Sequence, residues 1–220
     1  STSGTTSRHT VRTFGKITTV SSGASAAKSG CVTGLPANAT LVLRNNGGDD
    51  LSFNTNSTQG FATKVNHNSP YAVTVQTAPN GYTCTVANGS GTATADVGNV
   101  TVACTAQPRT VGGTVSGLTG NAQVQLGNPN TSSQTLGNGP FSFATTYGSA
   151  YAITATNPAG HTCSVANGSG TVSTDVANVQ VLCQAHTFTL TGAAQPAVGG
   201  NVNCPAQAVA YGDNASCTAT

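Results

Sequence analysis

Seven cysteines are the residues of this chain with the plainest capacity for covalent chemistry. Cys84 opens the segment CTVANGSGT and Cys163 opens its near copy CSVANGSGT; Cys104 and Cys183 close the matched stretches DVGNVTVAC and DVANVQVLC, and Cys204 and Cys217 lie close together further on. Thiols in matched local settings point to oxidation in pairs. The expected disulfides are Cys84 to Cys104, Cys163 to Cys183 and Cys204 to Cys217, which places the chain in an oxidising, extracellular compartment. Zinc would need CxxC or Cys/His clusters, and the sequence has neither. An odd count leaves one thiol over. By alignment of the copies it is Cys31, where the second copy has Thr114, and it is a candidate for an intersubunit bond or a free thiol.

No other residue set assembles into catalytic chemistry. A hydrolase needs a nucleophile, a base and an orienting group together, but His9, His67, His161 and His186 lie in unrelated positions. His161 takes the slot of Tyr82 in the first copy, which predicts a strand-surface position. Paired carboxylates for glycoside cleavage would have to come from five Asp, with Glu absent, and Asp96 and Asp175 are repeat-equivalent turn residues. The run NNGGDD from Asn45 to Asp50 lacks the ligand spacing of an EF-hand loop and reads as a turn. Lys64 is the one lysine inside a module, so an internal isopeptide cross-link is not expected. The sequons at Asn38, Asn56, Asn88, Asn99, Asn130, Asn167 and Asn214 are glycan acceptors only in a host with the machinery. The chain is expected not to be an enzyme and to need no metal or other cofactor.

The elements that hold the cysteines follow from composition. Only 5% of residues are charged, against about 25% in an ordinary soluble domain. Met, Trp and Glu are absent and Lys is scarce, while Thr and Val dominate the alternating stretches, which removes several good helix formers and supplies strand formers. The net charge of +2 is too small to predict a nucleic-acid partner. Nothing approaches the about 20 apolar residues of a membrane span or the run of a signal peptide, so a mature exported form is expected.

VTGLPANATLVL from Val32 aligns with VSGLTGNAQVQL from Val115, FATK at Phe61 with FATT at Phe143, and YAVTVQTAPNGYTC with YAITATNPAGHTC. Two homologous modules therefore run from 31 to 106 and from 107 to 185, a period suited to small sandwich domains. In a strand, residues two apart share a face. Cys84 thus points with Val86, and Cys104 with Val100 and Val102; Cys163 with Val165, and Cys183 with Val179 and Val181. Tyr71, Val73 and Val75, matched by Tyr151, Ile153 and Ala155, make a second inward stripe. ANGSG supplies turn residues between the cysteine strands. The fold class is all-β: tandem immunoglobulin-like sandwiches, each with an intradomain disulfide, plus a partial C-terminal β domain.

RTVGGTVSGLTGN, GPFSFAT, YAITATNPAGHTCSVANGSGTV and NVQVLC resemble the short immunoglobulin-like repeats found in tandem in large bacterial surface and secreted proteins. The resemblance covers both modules and implies architecture and an extracellular bacterial setting. Such repeats are usually stalks, spacers or adhesive units, so it transfers no catalytic residue. Residues 186–220 resemble the opening of another cysteine-paired bacterial β repeat.

Some 35 residues supply about three strands, too few for a self-sufficient sandwich. The converse holds for residues 1–30, where RHTVRTFGKITTVSSGAS is rich in strand formers without a partner in the first module. Val11, Phe14, Ile17 and Val20 are its apolar positions and make it a candidate donor strand. Adding it to the 186–220 region of another copy would build a head-to-tail homopolymer, a filament or pilus-like fibre at the cell surface. The alternative is a stalk or adhesin region of a larger surface protein, with host or surface glycans as partners.

Overall fold

The protein is described by a computed structural model that covers residues 28–129, 131–194 and 199–220. The described residues form strands and turns, and none of them forms a helix long and apolar enough to cross a membrane. The chain divides into two compact units between Gln107 and Pro108.

In the first unit the strands are β1 (Lys28–Thr33), β2 (Leu41–Asn45), β3 (Asp49–Phe53), β4 (Thr58–Gly60), β5 (Pro70–Thr77), β6 (Tyr82–Ala87), β7 (Ser90–Thr92) and β8 (Val97–Ala106). They make two four-stranded sheets, in the orders β4-β1-β8-β6 and β3-β2-β5-β7. Alternation decides what each sheet buries. β2 turns Leu41, Leu43 and Asn45 inward, and β8 buries Val100, Val102 and Cys104 while Thr101, Ala103 and Thr105 stay outside. Phe53, Phe61, Tyr71 and Val73 complete this core. Each such side chain, fully buried, contributes about 1.5–3 kcal/mol.

The second unit repeats the plan with β9 (Pro108–Ser116), β10 (Val124–Gly127), β11 (Gln134–Leu136), β12 (Gly139–Thr146), β13 (Ala150–Ala152), β14 (Thr154–Thr156), β15 (His161–Ala166), β16 (Ser169–Thr171) and β17 (Val176–Ala185). One sheet has the order β12-β9-β17-β15; the strands opposite are β11-β10-β14 with β13-β16 beside them. Its core is built on Val111, Val115, Leu126, Phe143, Ile153, Val179 and Val181.

Both modules share an unusual pairing for an all-β fold. The first strand of each lies parallel to the last: Gly30, Cys31 and Val32 stand opposite Val100, Thr101 and Val102, and Gly113, Thr114 and Val115 opposite Val179, Gln180 and Val181. The remaining ladders are antiparallel. Each module is an immunoglobulin-like β-sandwich with its own disulfide.

Ser90 and Gly91, the end of the expected ANGSG turn, are strand residues instead: with Thr92 they form β7, which crosses to the second sheet and pairs with Pro70, Tyr71 and Ala72 of β5. β16 does the same against β13. The turn itself is narrower and rests on Asn88 and Asn167, both in the left-handed region (φ 56° and 55°), where Asn is among the residues that fit. Each Asn also donates its Nδ2 across the hairpin, to Asn99 O at 3.0 Å and to Asn178 O at 3.1 Å. The next residue, Gly89 or Gly168, accepts the N–H of Val73 or Ile153 at 2.6 Å. A Cβ on Gly89 would lie 2.7 Å from Val73 O and on Gly168 2.6 Å from Val165 Cγ1. The doubled ANGSG segment therefore keeps its letters because it stitches one sheet to the other.

After β17 come β18 (Thr187–Phe188), β19 (Val202–Asn203), β20 (Val209–Ala210) and β21 (Thr218–Ala219), in two ladders of two strands each. These residues belong to the second compact unit.

Candidate functional site

Cys84 and Cys104 are direct cross-strand partners on β6 and β8, bonded with Cα atoms 4.0 Å apart. Cys163 and Cys183 repeat this on β15 and β17. In each pair the second cysteine is buried and the first is partly covered by the core, so both bonds sit on the inner face of one sheet. The third bond, Cys204 to Cys217, joins the β19 and β21 ends of a hairpin that is also held by Asn201 and Thr220, whose backbones exchange bonds at 2.7 and 2.9 Å. Cys31 carries a free, half-buried thiol. Its neighbours Gly30 and Val32 are buried, so it faces outward, opposite Thr58 on one side and Thr101 on the other. Val11, Phe14, Ile17 and Val20 lie outside the described residues.

NNGGDD forms the β2–β3 hairpin turn, with Asn46 and Gly47 at φ 47° and 74°, the signs that an Asn-Gly turn requires. Both carboxylates after it are engaged. Asp49 Oδ2 accepts the Thr63 N–H at 2.9 Å, and Asp50 receives a two-pronged contact from the cross-strand Arg44, Nε at 2.6 Å and Nη2 at 2.8 Å. The hydrogen bond from Arg44, with its charge, holds the Asp50 carboxyl below its ordinary range, and the Arg44 guanidinium is raised in turn. A carboxyl lowered on folding adds stability above its unfolded value and loses it as pH falls through the folded one. In an NMR acid titration, Asp50 should therefore protonate at lower pH than an ordinary carboxylate. Arg44→Ala should raise it back toward the ordinary carboxylate range; an unmoved Asp50 would show the pair to be open in solution.

His161 corrects the surface position expected for it. It is only 2% exposed, because its ring is tied on both sides rather than set against water. Nδ1 lies 3.0 Å from Ala159 O, and a carbonyl can only accept, so Nδ1 carries the proton. Nε2 is then the acceptor for the Thr119 N–H at 3.1 Å. Tyr82, in the same slot of the first module, remains partly exposed. His186 contributes its Nε2 to a 3.0 Å contact with Thr162 Oγ1.

Residues 186–220 differ in kind from the modules. No described residue among them is buried. Phe188 is 53% exposed, and Val202 and Val209 are half-covered. Neither two-stranded ladder has a third strand among the described residues, so both present open edges. Tyr211, 41% exposed, was not singled out by sequence reasoning, because a lone Tyr in a polar stretch carries no periodic signal.

No protein-family model matches the chain, and no curated protein matches it either. Solved structures do share features with it. The Bacillus anthracis TIE protein aligns with a TM-score of 0.46 and 13% identity over 73% of this chain. Two B repeat units of the Staphylococcus aureus collagen-binding protein give 0.28 and 16% over 77%, and the major pilin of Streptococcus pyogenes gives 0.25 and 10% over 74%. The chain spans 34% of the first of these structures, 52% of the second and 97% of the third. The fold assignment stands on the sheets and disulfides above.

Proposed function

We propose that this chain is the structural subunit of an extracellular bacterial filament that grows head to tail by β-strand donation. In this reading the part of residues 1–30 that precedes β1, through Val11, Phe14, Ile17 and Val20, adds to the 186–220 region of the next copy, while β1 from Lys28 stays in its own module and 31–106 and 107–185 are the spacers between contacts. The observation that carries it is the state of residues 186–220: a disulfide-clamped pair of ladders with open edges, half-covered apolar side chains and no buried residue. An added strand supplies hydrogen-bonding partners for an edge and an apolar face for Phe188 and Val209 together. The contact joins two different surfaces, so repeating it extends a fibre unless the rotation closes a ring.

The test is electron microscopy of the purified chain beside a variant lacking residues 1–20. The full chain is expected to form regular fibres and the truncated one to remain monomeric, with the strand signals of both modules unchanged by NMR. Fibres formed by the truncated protein would rule out strand donation.

A further inference from the structure

Tyr211 is fixed in place with unusual care for an exposed residue. Its carbonyl accepts a 2.6 Å hydrogen bond from Thr119 Oγ1, and its N–H donates to His186 O at 2.8 Å. The ring meets the buried His161 edge to face, centroids 6.0 Å apart and planes at 78°. One side of it lies on Gly160, where any Cβ would run into the ring. The first module is unable to build this clasp. Pro36 stands where Thr119 does and offers neither an N–H nor a hydroxyl, and Tyr82 stands in place of His161.

The held ring forms one wall of a cleft of about 450 Å³, completed by Thr119, Asn121, Gln123 and Pro158 among others. That volume lies within the roughly 300–1,000 Å³ of small-molecule sites. None of the residues lining it is charged. Asn121 and Gln123 are exposed, and their amides bond to no other described residue. Each offers two donors and an acceptor. We propose that this cleft binds a neutral sugar: a pyranose stacks its C–H face on Tyr211, and Asn121 and Gln123 engage neighbouring hydroxyls. A charged ligand would find no counter-charge here. A flat aromatic ring beside paired amides matches the two-sided chemistry of a sugar, apolar on its faces and polar at its rim. The proposal is independent of strand donation, since the cleft is formed within one copy.

The test titrates full-length, isotope-labelled protein with neutral disaccharides of glucose, galactose, mannose and N-acetylglucosamine, in α and β linkage, and with a proline-rich decapeptide. Shifts should centre on Tyr211, Asn121 and Gln123 for at least one disaccharide. Tyr211→Ala should weaken that binding by about tenfold or more, and Tyr211→Phe should keep most of it, because stacking needs the ring and not the hydroxyl. Tyr211→Ala also releases the clasp, so the joint change of Asn121 and Gln123 to Ala is the second variant. It leaves Thr119, His161 and Tyr211 in place and should weaken binding by a similar factor. No response to any disaccharide, a response to the peptide alone, or binding undiminished in the double variant would overturn the proposal.

Discussion

Replacing Cys163 and Cys183 together by alanine is expected to lower the stability of the second module by about 2–5 kcal/mol. The bond closes a segment with a sequence separation of 20, and that segment contains β16, the strand that crosses to the other sheet. Without the bond, the unfolded chain regains the freedom of the whole segment, while the folded module keeps Val165, Val179 and Val181 in place. The loss should appear in urea unfolding followed through the Ile153 and Val179 methyl signals, with the first module unaffected. Replacing Cys204 and Cys217 should shift those signals far less, because that bond clamps a hairpin with no buried residue. A change below about 1 kcal/mol for the Cys163/Cys183 pair would mean that the core alone holds the module and that the bond serves another purpose.

Phe53→Ala is expected to cost the first module about 3–5 kcal/mol. Phe53 is fully buried, stands directly across the β2–β3 ladder from Leu41, and reaches to within 3.9 Å of where a Cβ on Gly30 would sit. A Cβ there would meet the ring at ordinary van der Waals distance, so the ring packs directly against β1. The second copy has Leu136 at the matching position, only partly buried, so the second module spreads its packing over Phe141 and Phe143, whose rings meet edge to face at 6.0 Å. Phe53→Leu, which copies the second module, should cost distinctly less than Phe53→Ala by the same urea measurement. Equal losses would show that Leu finds no packing in the space the ring leaves.

Much of the fold could be read from letters two apart. The inward stripes of β5, β6 and β8 follow from Tyr71, Val73, Val86, Val100 and Val102, because one side of each strand faces a core and the other water. The repeat then doubles every observation. What escaped has a common physical reason: it depends on neighbours distant in sequence. β7 and β16 are three residues of Ser, Gly and Thr, with no apolar signal, and become strands only because an edge of the second sheet is there to pair with them. The break between β13 and β14 at Ile153, whose N–H turns to Gly168 O, is set in the same way. His161 looked like a surface residue until Thr119 and Ala159 supplied both of its partners. Tyr211 and its cleft arise where residues 119–123, 158–160 and 211 converge, and no window of sequence contains all three.

The parallel pairing of first and last strands also fixes how a module answers to pulling. The chain enters β1 at one end of its ladder with β8 and leaves β8 at the other. Tension along the chain therefore slides the two strands past each other and strains all the bonds between them at once, instead of opening them one by one. β9 and β17 respond alike. If a module does yield, the Cys84 to Cys104 bond keeps its segment of sequence separation 20 from paying out, which withholds about 70 Å of slack at roughly 3.3–3.6 Å per residue. Each disulfide thus sets an upper limit on how far its module can extend once the sheared ladder gives way.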